Sequence, residues 1–427
     1  MDPTTTIAIS VAIFFVIIMF LTIALVIAEG KLVQKGKVRI TINDDPDKSI
    51  EVEAGSTLLN TLSSNGILLP SACGGGGSCG VCRCQVLDGG GDLLPTEASH
   101  INRKQARDHW RLSCQLKVKS DMKIEVPHEV FAINKWECEV VSNDNVASFI
   151  KEFVVKLPEG QTLDFESGGY IQIEIPPFEC DFKDMIIDER FHPEWDKFKL
   201  WPLHTTNKTE VVRAYSMANH PAEGNIVMLN IRIACPPFDR EKGGWADLNP
   251  GIASSYVFSR KPGDKVTISG PYGEFFIQET EREMIYIGGG AGMAPLRSHI
   301  FHLFHTLKTG RKVSYWYGAR SRLEIFYEEH FRAIEREFPN FKFHIALSDP
   351  APDDNWVVQK DVDSEEGDGF KGFIHQVLLD NYLSKHKAPE DIEYYLCGPP
   401  MMLSAATKML DSLGVEPDMI RFDDFGS

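Results

Sequence analysis

Five of the nine cysteines lie close together in the first third of the chain. Cys73, Cys79 and Cys82 follow a C-x5-C-x2-C spacing, and Cys114 comes later in the segment LSCQ. Plant-type 2Fe–2S sites use C-x4-C-x2-C with a distant fourth cysteine, so this loop is one residue longer. Its glycines allow the backbone to wrap closely round a cluster and point N–H groups at sulfur. The spacing therefore predicts a 2Fe–2S cluster bound by these four cysteines.

The same thiols allow two alternatives. Four thiolates would also bind a structural zinc ion, but zinc sites more often have two C-x2-C pairs, and this loop has one. Cys84 is a fifth thiol, so the loop and the strand after it already contain four. We predict that Cys84 is a buried strand residue and that Cys114 is the fourth ligand, because Cys114 lets a second segment close over the cluster.

A second group of residues has the chemistry to bind a flavin. Arg213, Tyr215 and Ser216 in the segment RAYS offer a cation for phosphate, a flat ring and a hydroxyl. The segment GIASS, beginning at Gly251, looks like the start of a helix, where backbone N–H groups bind pyrophosphate. Each motif is weak alone, and Tyr215 by itself is equally well explained as a core aromatic residue.

Two glycine-containing loops follow predicted strands near the C-terminus. GGGAGMAP, beginning at Gly288, opens a helix, and Cys397-Gly-Pro-Pro ends a later strand. In a parallel sheet both lie at the carboxyl ends of strands, where ligands bind, and together they can clasp a nicotinamide. The alternatives are a tight turn at Gly288 and an inert core thiol at Cys397. The terminal Phe425 is predicted either to lie over the flavin ring or to pack with Phe422.

These motifs require three folded domains behind an N-terminal anchor. We expect an anchor at 1–30, a cluster domain at 35–128, a flavin domain at 133–278 and a dinucleotide domain at 279–427. The cluster domain has strands and one helix, including a predicted strand at Leu112–Val118. The flavin domain has consecutive strands typical of an antiparallel barrel, and the last domain alternates strands with helices, which predicts a parallel sheet.

Two further segments of these domains have their own structural predictions. Residues 176–212 form an irregular stretch that is rich in acidic and aromatic residues, either a docking surface or a surface insertion. Its aromatic content favours packing over disorder. In the dinucleotide domain, the pattern predicts a helix over Glu324–Glu337.

The N-terminal segment is apolar enough to span a membrane. Ile7–Ile27 carries no charge and would be ~30 Å long as a helix. A cleaved signal peptide would need a basic start and a shorter apolar run, and neither is present. The nearby basic residues all follow the run, which places the body of the protein in the cytoplasm; they are Lys31, Lys35, Lys37 and Arg39.

The remaining composition excludes one class of partner. Hydrophobic residues make up 43% and charged residues 25%, as in folded proteins, and the formal charge is −17. Nucleic-acid binding depends on Lys and Arg that neutralise phosphates, so an acidic chain argues against it.

The motifs in this order resemble a known family. RAYS, GIASS, GGGAGMAP and CGPPMM resemble the ferredoxin–NADP+ reductase superfamily, and the segment before them resembles ferredoxin. With the apolar N-terminus, FECDFKDM, SYWYGAR and the DDFG ending, the chain closely resembles the F subunits of sodium-translocating NADH:quinone oxidoreductases. The resemblance covers nearly the whole chain.

The resemblance implies a multidomain α+β and α/β fold: a transmembrane helix, a β-grasp ferredoxin-like domain, an antiparallel FAD barrel and a doubly wound NAD domain. It implies FAD, a 2Fe–2S cluster and NADH as substrate. Cys73, Cys79, Cys82 and Cys114 would bind the cluster, and Ser216, Cys397 and Phe425 would act where hydride is transferred. The FAD and NADH sites would contain Arg213, Tyr215, Ser216, Gly251, Ser254, Ser255, Gly288, Gly289, Gly290, Gly292, Met293, Pro295, Gly398 and Pro399.

The implied function is electron input. Hydride would pass from NADH to FAD, and single electrons through the cluster to other membrane subunits and then ubiquinone, at the bacterial inner membrane with the soluble domains in the cytoplasm. Arg320 and Arg322 follow the second predicted strand, where the 2′-phosphate of NADPH would bind. The residues alone therefore leave NADPH open, and the resemblance favours NADH.

Three other functions compete with this one. The reductase component of a multicomponent oxygenase has the same order of modules, but such reductases are generally soluble. A redox sensor would not need the RAYS segment or the paired glycine loops. An anchored electron carrier would not bind NADH.

Overall fold

The computed structural model describes residues 12–23, 36–239, 241, 243–364 and 366–423. Two compact units follow from the contacts: one comprises Met1–Ser71 and Gly75–Ala132, the other Ala72–Gly74 and Ile133–Ser427. Residues 12–23 are helical, and the rest of the predicted anchor lies outside the described residues. Within the described ranges, no helix combines the length and apolar character that crossing a membrane requires.

The first unit is built on a five-stranded mixed sheet. Its strand order is β2-β1-β5-β3-β4, with β1 parallel to β5 and the other neighbours antiparallel. Thr57 caps the first helix by accepting a hydrogen bond from Asn60 N, and that helix buries its leucines against the sheet. The elements are β1 (Lys37–Ile42), β2 (Asp45–Glu53), α1 (Leu58–Ser64), β3 (Arg83–Asp88), α2 (Arg103–Arg107), β4 (Trp110–Leu112) and β5 (Met122–Glu125).

The predicted strand Leu112–Val118 is wrong beyond its first residue. β4 ends at Leu112, and the chain turns there, with Gln115 N and Leu116 N both donating to Leu112 O. The apolar residues of this segment are buried all the same: Leu116 and Val118 belong to the core of the unit. These residues are buried without forming the hydrogen bonds of a strand. A run of apolar residues does not distinguish a strand from a turn that packs into the core, which explains the error.

The second unit begins with a six-stranded antiparallel sheet in the order β11-β8-β15-β6-β7-β12. Beyond β11, Met217 forms an antiparallel bridge with Leu229 of β12, so the two edge strands meet. This confirms the predicted barrel. Its strands are β6 (Asn134–Ala147), β7 (Ile150–Lys156), β8 (Tyr170–Ile175), β11 (Val211–Ser216), β12 (Ile226–Arg232) and β15 (Lys265–Tyr272); the short pair β13 (Phe238–Asp239) and β14 (Gly244–Trp245) and helix α4 (Ile252–Phe258) lie between the last two.

The stretch 176–212 is ordered and packs into the barrel core. It forms the antiparallel pair β9 (Phe178–Asp181) and β10 (His204–Asn207) with helix α3 (His192–Lys197) between them. Trp195 is fully buried, and its ring N–H donates to Ser148 O at 2.7 Å. The prediction that its aromatic residues pack is confirmed, and the prediction that it is irregular is wrong.

The second unit ends with a six-stranded parallel sheet in the order β19-β18-β17-β16-β20-β21. Helices α5 and α6 pack in the apolar cluster on one face, and α7 and α8 in the cluster on the other. The doubly wound sheet is therefore confirmed. Its elements are β16 (Met284–Gly289), α5 (Met293–Phe301), β17 (Val313–Ala319), α6 (Glu328–Glu337), β18 (Phe341–Leu347), β19 (Phe370–Lys371), α7 (Ile374–Asn381), β20 (Glu393–Cys397), α8 (Pro400–Ser412) and β21 (Ile420–Asp423).

One predicted helix boundary in this sheet domain is wrong. The helix predicted over Glu324–Glu337 begins only at Glu328. Tyr327, the residue before it, is left-handed at φ +59°, which breaks the helical path. Its hydroxyl is hydrogen-bonded to Asn230 at 2.8 Å, a tertiary contact with β12 that local sequence does not reveal.

Candidate functional site

The cysteine segment of the first unit brings two predicted ligands together. Cys82 and Cys114 are buried and share a hydrogen between their sulfur atoms. That contact lowers the pKa of Cys114, and Gln115 Nε2 also donates to its sulfur at 3.4 Å. Cys79 lies in the preceding loop of the same unit and is partly exposed; Cys73, also partly exposed, belongs to the second unit. Two cysteine sulfurs in contact, next to a glycine-rich loop that carries two more, fit the thiolate donor set of an iron–sulfur cluster.

Glycines allow the backbone path of this loop. Gly77 and Gly80 have φ of +79° and +68°, where side chains are strained. A Cβ on Gly77 would lie 2.5 Å from Gln115 Nε2, and one on Gly80 would lie 2.7 Å from His100 Nδ1. The loop therefore packs closely against Gln115 and His100 at positions that only glycine can occupy.

Cys84 lies apart from this loop, as the sequence predicts. It is fully buried within β3, where burial raises the pKa of its thiol to about 12. It lies near the buried ion pair in which Arg111 Nη2 donates to Glu97 Oε2 at 2.6 Å. Leu112 N donates to the same carboxylate at 2.8 Å, so the pair fixes the strand end that leads to Cys114.

A cavity of about 1160 Å³ lies in the second unit. It extends from the barrel strand that carries RAYS to the glycine loops of the parallel sheet, and its volume is slightly above the range of about 300–1,000 Å³ that is typical of ligand sites. The predicted residues that line it are Arg213, Tyr215, Ser216, Gly251, Ser254, Gly289, Gly290, Gly292, Gly398 and Pro399. The predicted residues buried behind its wall are Ser255, Gly288, Met293, Pro295 and Cys397.

The barrel side of the cavity offers the groups that a flavin nucleotide needs. Arg213 and Tyr215 lie two residues apart on β11, which pairs with β8, and both line the cavity. Burial raises the pKa of Tyr215, so its ring is present as the neutral phenol. At the start of α4, a Cβ on Gly251 would lie 2.6 Å from Ala234 Cβ, so only glycine permits this close turn. The residues present therefore fit FAD.

The two serines of GIASS have different surroundings. Ser254 lines the cavity, and its Oγ accepts from Ala234 N at 3.1 Å. Ser255 is fully buried, and its Oγ accepts from Thr205 Oγ1 at 2.9 Å. The structure therefore brings Ser254 to the cavity and holds Ser255 in the wall behind it.

The two glycine loops meet at the carboxyl ends of neighbouring strands. β16 and β20 are parallel, with Gly288 opposite Cys397. A Cβ on Gly292 would lie 2.1 Å from Cys397 O, so the loops are in direct backbone contact. The side chain of Cys397 is fully buried beneath this contact. A nucleotide between the loops would approach bare backbone, as the sequence pattern predicts.

One residue of the cavity region is missed by the sequence analysis. Asp423, the last residue of β21, accepts a hydrogen bond from Ser216 Oγ at 2.5 Å. β21 lies beside β20, with Asp423 opposite Cys397. The signal that could have found it is a carboxylate at the end of a final strand, at the edge where ligands bind. Phe425 lies outside the described residues.

Family models match three parts of the chain. A 2Fe-2S iron-sulfur cluster binding domain matches residues 40–119, an oxidoreductase FAD-binding domain 200–277 and an oxidoreductase NAD-binding domain 286–408. The predicted cofactors, a 2Fe–2S cluster and FAD with NADH as substrate, are thereby confirmed.

Solved structures of similar fold cover most of the chain. The Amycolatopsis cytochrome P450 reductase GcoB is 21% identical with a TM-score of 0.61, covering 91% of this chain and 98% of that one. The ferredoxin reductase in carbazole 1,9a-dioxygenase is 24% identical with a TM-score of 0.56, covering 92% and 99%. At this identity they show the fold alone.

Relatives of much higher identity match the chain from end to end. The F subunit of the Na(+)-translocating NADH-quinone reductase of Actinobacillus succinogenes is 54% identical over 97% of both chains. The protein of the same name from Yersinia enterocolitica is 53% identical over 98% of this chain and 99% of its own. That from Haemophilus influenzae is 52% identical over the full length of both. The chain belongs to the family of the F subunits of Na(+)-translocating NADH-quinone reductases.

Proposed function

We propose that this protein is the electron-input subunit of a sodium-translocating NADH:quinone oxidoreductase. It takes hydride from NADH to FAD and passes single electrons through its 2Fe–2S cluster to partner subunits and ultimately to ubiquinone. The observation that carries the proposal is the continuous cavity of the second unit, which joins the RAYS strand of the barrel to both glycine loops of the parallel sheet. Two nucleotides bound there would meet where Ser216 and Gly398 line the same space.

The order of modules has a chemical reason. NADH gives up two electrons as hydride, a 2Fe–2S cluster accepts one at a time, and FAD handles both. The protein's own contribution is placement, since correct orientation of the reacting groups removes much of the entropic cost of the reaction.

The side chains of the cavity have distinct tasks in this proposal. Arg213 binds phosphate, Tyr215 packs on the flavin ring and Ser216 hydrogen-bonds near its reactive nitrogen. Ser254 contacts the pyrophosphate, and the backbone of Gly289–Gly292 and Gly398–Pro399 holds NADH. Cys73, Cys79, Cys82 and Cys114 bind the cluster.

The proposal extends to the membrane and to domain limits. Ile7–Ile27 is a single transmembrane helix, and the basic residues after it keep the soluble domains on the cytoplasmic side. The domains divide as 1–30, 35–128, 133–278 and 279–427. Other membrane subunits of the same complex accept the electrons.

The test uses the full-length chain, purified in detergent with both cofactors present. NADH added without oxygen should bleach the flavin absorbance and produce the electron-paramagnetic signal of a reduced 2Fe–2S cluster. Unchanged spectra in a folded, loaded protein would refute the proposal. Vesicles containing this chain, tested for resistance to carbonate extraction, would check the anchor.

A reductase of a multicomponent oxygenase is the competing function. The solved structures of similar fold include such a reductase, but at their low sequence identity the similarity shows only a shared fold. The family to which the chain belongs favours the quinone reductase. Direct reduction of the partner subunits of the complex, with no reduction of an oxygenase component, would separate the two.

A further inference from the structure

One arginine of the nucleotide cavity is held by two carboxylates. Arg320 lines the cavity wall directly after β17. Its Nη2 forms a short hydrogen-bonded ion pair with Glu194 and lies 3.8 Å from Glu324 Oε1. The side chains of Glu194 and Glu324 are only 16% and 12% exposed, so solvent screens them weakly. Lys197 Nζ lies 3.0 Å from Glu194 Oε1, so two positive and two negative charges meet at this corner of the cavity and the charge of Arg320 is already compensated.

The position of Arg320 matters for the choice between NADH and NADPH. β17 is the strand after the first glycine loop, and in this kind of fold the residues at its carboxyl end meet the adenosine ribose. A basic residue there accommodates a 2′-phosphate, and an acidic one favours the 2′-hydroxyl of NADH. Arg320 has the right charge and place for NADPH, but its guanidinium is already engaged.

The other arginine of this segment is engaged as well. Arg322 Nη1 donates to Asp354 O at 3.1 Å, and Nη2 donates to Asp368 Oδ1 at 3.3 Å. Its guanidinium lies over the ring of Trp356. Three carboxylates and one backbone carbonyl therefore engage the two guanidinium groups that could bind the extra phosphate.

Glu194 is held firmly in its place. It lies on α3 next to Trp195, which is fully buried and hydrogen-bonded to Ser148. Burial alone would raise the pKa of Glu194, but hydrogen bonds from Arg320 and Lys197 outweigh it and lower the pKa, so the carboxylate is ionised at neutral pH. Phe198, at the end of the same helix, lines the cavity beneath Arg320. The segment 176–212 thus forms part of the wall of the nucleotide cavity.

We infer that Glu194 is a specificity-determining residue, which selects NADH by holding Arg320 and opposing the 2′-phosphate of NADPH with its negative charge. Such discrimination acts against the wrong ligand rather than for the right one. The inference rests on the proposed function, since it assigns a role to the segment 176–212 in the same cavity.

The test compares Glu194→Gln with the wild-type full-length chain. Equilibrium binding of NADP+ and NAD+ is measured by titration calorimetry, and kcat/KM is measured for NADPH and NADH. The substitution frees Arg320 and removes one negative charge. The ratio of NADP+ to NAD+ affinity should rise roughly tenfold, the size of one hydrogen bond to a charged group. The ratio of kcat/KM should rise with it.

Two further variants isolate the cause. Lys197→Gln removes the other cation on Glu194, 3.0 Å away, but leaves the contact with Arg320, so its NADP+ to NAD+ affinity ratio should not rise above that of the wild type. The double variant E194Q/R320Q should lose the gain in NADP+ affinity, because the phosphate then has no guanidinium to bind. Glu324→Gln should also raise the ratio of NADP+ to NAD+ affinity. This variant replaces E194Q in the test if E194Q does not fold.

An unchanged affinity ratio in folded E194Q or E324Q would overturn the inference, and so would a gain that survives in E194Q/R320Q. The binding ratio needs no turnover, so it separates the two proposals. A wild type that binds NAD+ yet transfers no electrons from NADH refutes the proposed function alone.

Discussion

The hydroxyl of Ser216 donates a hydrogen bond of 2.5 Å to the carboxylate of Asp423. Ser216 ends the barrel strand β11, and Asp423 ends β21 at the edge of the parallel sheet. The bond therefore ties the flavin side of the cavity to the nicotinamide side. With its hydrogen directed at Asp423, Ser216 Oγ can turn only its lone pairs to a bound ligand.

Replacing Asp423 with Asn should slow hydride transfer with little effect on NADH binding. The charged acceptor that orients the Ser216 hydroxyl is lost, and such a bond is worth about 1.5–3 kcal/mol. We expect kcat to fall roughly 10–100-fold while KM changes much less. Anaerobic stopped-flow measurement of flavin bleaching provides the rate. Asp418→Asn, at an exposed position near the same strand, is the control, and an equal rate in D423N and D418N would contradict the prediction.

The cysteine assignment predicts opposite outcomes for two buried thiols. Cys114 contacts Cys82, whereas Cys84 lies inside β3 beside the Arg111–Glu97 pair. Cys114→Ala should abolish cluster binding, and Cys84→Ala should retain it. Iron and acid-labile sulfide per protein, with the visible spectrum, measure the difference. A C84A variant without iron would show that Cys84 is a ligand.

Sequence succeeded where chemistry and spacing are local. Gly290 and Gly292 follow β16 and line the cavity, as the glycine pattern predicts. Cys82 lies beside Cys114, as the cysteine spacing requires, and the full set of four ligands stays a prediction. Asp423 was missed because its role depends on β21 lying beside β20 and close to β11, a relation between residues 207 positions apart. The segment 176–212 was mispredicted for a related reason: its aromatic residues have no period of their own and are ordered by the barrel core that they enter.

Adding one methyl group at Gly292 should damage NADH oxidation. A Cβ there would lie 2.1 Å from Cys397 O, so the glycine loop and the CGPP loop would have to separate. A displacement of about 1 Å near the chemistry can cost about 100-fold in rate, and we expect a loss of that order in kcat/KM for NADH. FAD content should stay normal. Gly310→Ala is the matched control, because nothing lies within 4 Å of its added Cβ. Full activity in G292A would disprove the close contact.

The parallel sheet should lose stability in mild acid because of His344. This residue is buried against Trp316, with ring centroids 4.1 Å apart, and burial, aided by Arg332 and Lys342, lowers its pKa from 6.5 to about 3. Below pH 6.5 the unfolded chain therefore binds a proton that the folded chain does not. Stability must fall as pH decreases, with the loss from this residue complete only below its folded pKa.

The titration of His344 alone should lower the free energy of unfolding by about 2 kcal/mol between pH 7 and pH 5. His344→Phe keeps an aromatic ring against Trp316 and removes the titration. Between pH 7 and pH 5, the free energy of unfolding of this variant, measured with urea, should therefore fall by about 2 kcal/mol less than that of the wild type. His128→Gln, at an exposed position, should keep the wild-type dependence. If H344F and H128Q lost stability equally between the two pH values, His344 would be protonated in the folded protein, and its burial would have to be relieved by an opening of the sheet near Trp316.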